Sequence, residues 1–369
     1  MSQRTFQLRD LLNLNILLIF FPIALTGQLA GWSEILVFIC SALAIIPLAG
    51  LIGEATEVLA EKLGPHVGGL LNATMGNAAE LIITFFALRG GLLELVKASI
   101  VGSVLGNLLL VLGMSTLLGG LKNGLQTFDR RTASRNATLV ILAFMVLAIP
   151  SVFDSAILGK APTEATAQGR ELAFSLGIAA LMIVIYILSV FYTLRNPEGS
   201  VAQTIRQTQE IIVKPAINMR NSILLLIAAT IGVAVMSEIL VGTVEPVVKQ
   251  LGLSEFFVGI ILIPIIGNVS EHVVAVQVAL KNRMDLSLGI SLGSSLQVAL
   301  FVAPVLVFVS LFFEQRLLLV FNPYELLALG VGTIVATLVS QDGESNWLEG
   351  AELIAVYLIL ALAFFLVGT

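Results

Sequence analysis

Long apolar segments recur along almost the whole chain and leave few folds open to it. A helix needs about 20 mostly apolar residues to cross a bilayer. Only 12% of the 369 residues are Asp, Glu, Lys or Arg, against about 25% in soluble domains. The sequence therefore predicts an all-α integral membrane protein with eleven transmembrane helices, at residues 11–30, 34–58, 66–88, 92–119, 137–157, 171–194, 220–248, 254–280, 285–313, 323–340 and 347–367.

Lysine and arginine residues between these segments predict the orientation of the chain. With the N-terminus inside, the inner segments hold thirteen of them and the outer segments hold six. Cytoplasmic loops are enriched in these residues. We therefore expect a cytoplasmic N-terminus, and eleven spans then place Thr369 outside. The first apolar run shows no convincing cleavage site, so we expect it to be retained as a helix.

A shift of 191 residues superimposes two stretches of the sequence without a gap. GNAAELIITFFALRGGLLELVKASIVGSVLGN, which begins at Gly76, aligns with GNVSEHVVAVQVALKNRMDLSLGISLGSSLQV, which begins at Gly267. The identical positions include the Gly-Asn pair that opens each stretch and the glutamate three residues after it. The identical positions include nearly every unusual residue of the stretch, which makes chance similarity a poor explanation. The sequence therefore contains an internal repeat.

The two copies are predicted to point in opposite directions across the membrane. The first falls on the third apolar span and the second on the eighth, and five crossings reverse the direction of the chain. Inverted repeats are the architecture of many secondary transporters, whose site lies near the bilayer midplane. We therefore expect one extra N-terminal helix in residues 1–33, a five-helix repeat in 34–195, a cytoplasmic linker in 196–219 and a second five-helix repeat in 220–369.

Each copy is predicted to contain a break in its helix at the Gly-Asn pair. Glycine costs about 1 kcal/mol relative to alanine in a helix interior, and Pro264 adds a helix breaker just before Gly267. Backbone carbonyls freed at membrane depth are tolerated only where they line a cavity or bind an ion. The side chains of Asn77 and Asn268 would form hydrogen bonds with the backbone groups freed at the break, or would supply an amide oxygen as a ligand. The alternative is that these glycines only permit tight helix packing.

Glu80 and Glu271 are the residues that follow each Gly-Asn pair by one helical turn. An ionisable residue at membrane depth is expensive, and its default interpretation is functional. Two such carboxylates meeting at the centre of the protein would match the charge of a divalent cation. Oxygen ligands without cysteine favour hard ions such as Ca²⁺. Without that ion the two groups cannot both stay ionised cheaply in a low dielectric, so protons and Ca²⁺ would compete.

His272 follows Glu271, whereas the matched residue in the first copy is Leu81. A histidine can accept or relay a proton near neutral pH, which makes His272 a candidate for proton transfer together with the two glutamates. The alternative, given equal weight, is a hydrogen bond to a carbonyl or a position at a wetted mouth.

Spans four and nine are predicted to form the walls of the site. Small residues recur every four positions in both spans and permit close approach of a neighbouring helix: Ala98, Gly102 and Gly106 in the first, and Gly289 and Gly293 followed by Gln297 in the second. The polar residues beside them either line the ion pathway or only join helices by hydrogen bonds: Ser103, Asn107, Ser294 and Ser295.

Four further glutamates lie near the ends of spans two and seven: Glu54, Glu57, Glu238 and Glu245. The 191-residue shift pairs Glu54 with Glu245, as expected for two cation-attracting mouths on opposite sides. Ordinary carboxylates at the membrane interface are an equally weighted alternative.

At these residues the chain resembles the Ca²⁺/H⁺ antiporter branch of the cation/Ca²⁺ exchanger superfamily. The resemblance rests on GGLLNATMGNAAELI and GNVSEHVVAV, followed by GSVLGN and GSSLQVALFVAP. It implies an eleven-helix exchanger of cytosolic Ca²⁺ against protons, whose cation is held by Glu80, Glu271 and the backbone carbonyls of Gly76 and Gly267. Vacuolar members often carry an acidic stretch that residues 196–219 lack. A prokaryotic plasma membrane is therefore the expected location, with a vacuolar membrane as the alternative.

Three other functions fit the sequence less well. A Na⁺/Ca²⁺ exchanger of the same fold would offer more oxygen ligands around the centre. A passive cation channel would usually build its pore from rings of residues around an axis. An intramembrane hydrolase would need a nucleophile or a pair of metal-binding histidines. We therefore expect a transporter rather than an enzyme, with Ca²⁺ and H⁺ as substrates, lipid around it, no cofactor and no nucleic-acid partner; a homo-oligomer stays open.

Overall fold

The computed structural model describes residues 14–158, 164–195 and 218–367, and these residues are almost entirely helical. The α-helices are α1 Phe20–Ala30, α2 Glu34–Met75, α3 Ala78–Arg89, α4 Leu93–Leu105, α5 Leu112–Asn123, α6 Arg130–Leu158, α7 Glu164–Arg195, α8 Met219–Gly242, α9 Val244–Leu251, α10 Glu255–Phe257, α11 Ile263–Leu280, α12 Met284–Gln297, α13 Ala303–Ser310, α14 Pro323–Val339 and α15 Trp347–Val367. Of the predicted linker, residues 196–217 lie outside the described residues.

Several short elements complete the fold. A 3-10 helix at Leu14–Ile19 precedes α1. Two-residue strands, β1 Gln126–Thr127 and β2 Glu344–Ser345, pair antiparallel. Three π-helical turns continue one helix into the next without a loop, and join α4 to α5, α10 to α11 and α12 to α13: Gly106–Val111, Val258–Leu262 and Val298–Val302.

Eight helices of the described residues are long and apolar enough to cross a membrane: Glu34–Leu63, Leu93–Asn123, Arg130–Phe153, Gln168–Tyr192, Met219–Gly242, Glu255–Leu280, Met284–Ser310 and Trp347–Val367. Shorter apolar helices occupy Leu14–Ala30 and Pro323–Val339. The predicted class, an all-α membrane protein, is confirmed. The count of eleven spans stays a prediction.

Helix α2 contains a reversal of the chain. Its 42 residues would extend about 63 Å in a straight helix, roughly twice the thickness of the hydrocarbon core. Gly68 packs directly against the backbone of Ala60, although a straight helix would separate residues eight apart by about 12 Å. The chain therefore turns back between these residues. In this way α2 supplies the predicted second span and the beginning of the third.

Boundaries of the helices repeat with the 191-residue shift seen in the sequence. Helix α3 ends at Arg89 and α11 ends 191 residues later at Leu280. The first residues of α4 and α12 are separated by the same interval, and so are Val111 and Val302, which end the π-helical turns after them. The two motif regions therefore share local structure as well as sequence.

Glycines allow the two motif regions to approach at backbone distance. A side chain at Gly102 of α4 would overlap the backbone of Ile260. A Cβ at Gly259 would lie 2.8 Å from the Cβ of Ala98. The predicted packing role is therefore confirmed for Ala98 and Gly102. Gly106, one turn further along the chain, faces open space among the described residues.

Candidate cation-binding site

Glu80 lies in the first turn of α3 and is 1% exposed. The chain leaves helical geometry at Gly76 and Asn77, between the end of α2 and the start of α3. The predicted break in the first copy is therefore present. Because a helix N-terminus favours negative charge, this break places the carboxylate where the backbone of α3 supports it.

The second copy has no such break, and the prediction of one at Gly267 was wrong. Helix α11 runs through this residue, and Pro264 follows the π-helical turn Val258–Leu262, which continues into α11 without a loop. A carbonyl inside a continuous helix already accepts a bond from the residue four positions later. Gly267 instead forms a packing contact, since a Cβ there would lie 3.6 Å from the Cα and Cβ of Glu80.

A chain of hydrogen bonds joins Glu80 to the second motif. The hydroxyl of Ser103 on α4 donates to Oε1 of Glu80. The Nδ2 group of Asn268 donates to the hydroxyl oxygen of Ser103 at 3.3 Å and to the carbonyl of Pro264 at 3.1 Å. Ser103 therefore bridges the carboxylate of its own half and the amide of the other half.

Ser294 holds the matched position in the second half and contacts the asparagine of the first. Its hydroxyl donates to Oδ1 of Asn77 at 3.3 Å. It also accepts a bond of 3.0 Å from Nδ2 of Asn107. Both serines therefore contact the asparagine of the other half, and Ser103 also contacts the glutamate of its own half.

Three buried oxygens of the two motifs have no hydrogen-bond partner among the described residues: Oε2 of Glu80, Oε2 of Glu271 and Oδ1 of Asn268. Leaving a buried polar atom unpaired costs about 1–3 kcal/mol, so each of these atoms needs a partner beyond the described residues, such as a water or an ion. Glu271 follows by one helical turn Gly267, which packs against Glu80. The donors are hard oxygens, which is the ligand type that Ca²⁺ prefers.

Cation ligation here would depend on the paired carboxylates and on neutral oxygens. Among the described residues, no group of three or more His, Cys, Asp or Glu side chains is arranged to hold a metal ion. His272 follows Glu271 on α11 and is half-buried.

The remaining predicted wall residues divide into two groups. Gln297 lies in the network, because its Oε1 accepts a bond of 2.5 Å from Nδ2 of Asn77. Ser295 does not, because its hydroxyl donates to the carbonyl of Ser291 in its own helix at 2.9 Å. The neighbouring serines at the end of α12 thus have different roles.

The four glutamates predicted at the mouths lie outside the contacts just described. Glu54 and Glu57 are half-buried, one turn apart on α2. Glu238 forms an ion pair of 3.3 Å with Arg89, and both side chains are more than half exposed. Glu245 forms an ion pair of 3.7 Å within α9. Exposed pairs of this kind contribute about 0–1 kcal/mol. Their role as cation-attracting mouths stays a prediction.

Two contacts at the site were not foreseen from the sequence. The hydroxyl of Thr84 donates to the backbone carbonyl of Glu80 at 2.7 Å, and the Pro264 carbonyl accepts from Asn268. Both pairs are separated by four residues, the spacing at which a polar side chain reaches back to a helix carbonyl. That four-residue spacing was the sequence signal from which the two contacts could have been predicted.

Comparison with known proteins gives the class first. Residues 33–195 and 221–366 match the family model described as sodium/calcium exchanger protein. The chain belongs to this family, a family of membrane cation exchangers.

Individual relatives show which members of the family the chain is similar to. The chain is 43% identical over 360 residues to the Ca(2+)/H(+) antiporter of Aphanothece halophytica, covering 95% of both chains. It is 43% identical over 346 residues to the Ca(2+)/H(+) antiporter ChaA of Bacillus subtilis, covering 94% of this chain and 96% of that one. It is 37% identical over 351 residues to the vacuolar calcium ion transporter of Schizosaccharomyces pombe, covering 95% of this chain and 84% of that one.

The fold also matches a solved structure along nearly the whole chain. The structure of native YfkE superimposes with a TM-score of 0.81 at 40% identity, and the match covers 96% of this chain and 99% of that one. The predicted resemblance to the Ca²⁺/H⁺ antiporter branch is confirmed.

Proposed function

We propose that this protein is a secondary active transporter that exchanges Ca²⁺ for protons. The observation that carries the proposal is the pair of glutamates, one from each repeat, whose Oε2 atoms are buried and lack partners among the described residues. The names of relatives at 43% identity support the same substrates. The donor set of hard oxygens supports a cation such as Ca²⁺ over softer metals.

In each glutamate, Oε2 is the oxygen available to the transported ion. Ser103 donates to Oε1 of Glu80, which leaves Oε2 for Ca²⁺ or for a proton. Oε2 of Glu271 is likewise buried and has no partner among the described residues. When Ca²⁺ is bound, the ionised pair balances its two charges. When Ca²⁺ leaves, protons must neutralise the pair, because an uncompensated buried charge is strongly destabilising.

This requirement makes the two ions exchange. Neither Ca²⁺ nor protons can leave the site without the other arriving, since a fully ionised pair of carboxylates at this depth is the expensive state. In an inverted repeat the site lies near the midplane and opens to the two sides in turn. We propose the same alternating access here, with the halves 34–195 and 220–369 as the repeats and residues 1–33 as an additional helix.

The direction of transport follows from the orientation. We propose a prokaryotic plasma membrane, a cytoplasmic N-terminus, and export of cytosolic Ca²⁺ coupled to inward movement of protons. The basic residues between the spans support this orientation. Labelling of an Asn123→Cys variant, with Cys40 replaced, by a membrane-impermeant reagent tests it: labelling from outside intact cells would reverse the orientation.

The coupling ion separates this proposal from Na⁺/Ca²⁺ exchange. We expect ⁴⁵Ca²⁺ uptake into proteoliposomes when a pH gradient, acidic inside, is imposed, and none above background when a Na⁺ gradient is imposed instead. A protonophore should abolish the uptake. Uptake that depends on Na⁺ and ignores the protonophore would contradict the proposal. Rapid flux with no counter-gradient would indicate a passive channel.

His272→Leu, the residue found at the matched position, tests a role in proton transfer. We expect the pH dependence of exchange to shift by about one pH unit, the size of effect that a neighbouring ionisable group produces. Expression should be unchanged, because Leu81 holds the matched position in the first repeat. A pH profile that coincides with that of the wild type would assign His272 a structural role.

A further inference from the structure

The asparagines at matched positions of the two motifs have different hydrogen-bond partners. Both ends of the Asn77 amide are engaged by the second half: Nδ2 donates to Oε1 of Gln297 at 2.5 Å, and Oδ1 accepts from Ser294 at 3.3 Å. Asn77 is 2% exposed. Its amide oxygen is therefore already occupied by a protein donor.

Only one end of the Asn268 amide is engaged. The carbonyl of Pro264 can only accept, so its contact at 3.1 Å identifies the nearer end of the amide as the donor Nδ2. The oxygen Oδ1 is turned the other way. It is buried and has no partner among the described residues, as expected of an atom that receives a ligand rather than a protein donor.

The difference has a source in the sequence. Gln297 and Gly106 stand 191 residues apart, at matched positions of the repeat. Gln297 reaches Asn77, whereas Gly106 has no side chain, and the described residues leave the space beside it open. The first half therefore has no counterpart of Gln297 to engage Asn268.

We propose that Gln297 is a positioning residue that keeps Asn77 out of the ligand set, so that Asn268 alone supplies an amide oxygen to the cation. The inference rests on the proposed Ca²⁺ site. A neutral amide oxygen adds a hard ligand without adding charge, so the balance between two carboxylates and a divalent ion is kept. The carboxylates are paired across the repeat, but the neutral ligands are not. This revises the expectation that both asparagines bind the ion.

Equilibrium binding of ⁴⁵Ca²⁺ to the purified full-length protein tests the proposal. We expect Asn268→Ala to weaken Ca²⁺ binding about tenfold, the size of effect for one lost contact to a charged group. Asn77→Ala should weaken binding less than about threefold, because no ligand is removed. Gln297→Met, which keeps the side-chain length, should lower the maximal exchange rate and leave Ca²⁺ affinity close to that of the wild type.

Double variants separate a positioning role from a direct one. Asn77→Ala combined with Gln297→Met should be no worse than either change alone, because the two residues share one contact. Asn268→Ala combined with Gln297→Met should show the product of the single effects on exchange. Thermal stability in detergent, measured for every variant, identifies losses that come from folding.

Three outcomes would overturn the proposal. Equal weakening of Ca²⁺ binding by Asn77→Ala and Asn268→Ala would show that both amides are ligands. A loss of affinity in Gln297→Met as large as that in Asn268→Ala would place Gln297 on the ion itself. A wild-type protein that binds no Ca²⁺ would overturn the proposed function and this inference together, which distinguishes that failure from the first two.

Discussion

Glu80→Gln and Glu271→Gln are each expected to abolish Ca²⁺/H⁺ exchange while the protein still folds and enters the membrane. One remaining carboxylate leaves a buried divalent ion half-neutralised, and an unpaired buried charge costs several kcal/mol. A loss of about 3 kcal/mol already weakens binding roughly a hundredfold. Glutamine has nearly the shape of glutamate, and its amide oxygen can still accept the bond from Ser103. The expected loss therefore comes from charge and not from packing.

Uptake of ⁴⁵Ca²⁺ into proteoliposomes under a pH gradient measures this effect. The double variant should be little worse than either single one, because the site fails as a unit. Glu344→Gln is the matched control: it makes the same chemical change at an exposed residue of β2 and should leave exchange intact. Replacing Glu54, which is predicted to lie at a mouth, should reduce exchange far less than replacing Glu80. Near-normal exchange in either central variant would contradict the paired-carboxylate mechanism.

Gly102→Ala is expected to cause a large loss of stability. The added Cβ would overlap the backbone of Ile260, and a backbone segment inside a π-helical turn cannot move aside as a flexible side chain can. Extra methyl groups in a well-packed core cost about 1–3 kcal/mol, and occasionally more. This contact joins the first half to the second half next to the site, so exchange should fall together with stability.

Gly106→Ala is the control for this change. It lies one turn away on the same continuous helix and faces open space among the described residues. An alanine there should keep or raise the thermal transition, because glycine is the weaker helix former by about 1 kcal/mol. Gel filtration of heated detergent-solubilised protein compares the two variants. Equal transitions would show that the close approach at Gly102 contributes nothing to stability.

Much of the fold could be predicted because the lengths of the apolar segments and the internal repeat can be read directly from the sequence. Span boundaries were harder to predict. Helix α2 covers the whole of the second predicted span, 34–58, and also the start of the third, 66–88. The break at Gly76 was predicted correctly, and the break at Gly267 was not. The same Gly-Asn pair lies in both, but α2 ends at Met75 before Gly76, whereas the chain before Gly267 continues as a helix from the π-helical turn Val258–Leu262. What precedes a motif thus decides how it folds.

The candidate site divides in a similar way. Glu80 and Glu271 could be selected from the sequence because charge is rare in an apolar span. The choice between Ser294 and Ser295 could not be made, because it depends on how α12 is rotated against its neighbours. The contact between Asn77 and Gln297 joins residues separated by 220 positions, and no local pattern encodes such a pair. Long-range packing therefore determines the neutral part of the site.

The competition between Ca²⁺ and protons for the two carboxylates can be measured directly. Calorimetric titration of the purified protein with Ca²⁺, in buffers of different ionisation enthalpy, counts the protons released for each ion bound. The mechanism predicts proton release on Ca²⁺ binding wherever the ion-free site holds protons, and loss of this response in Glu80→Gln and Glu271→Gln. Tight Ca²⁺ binding without proton release at every pH tested would contradict it.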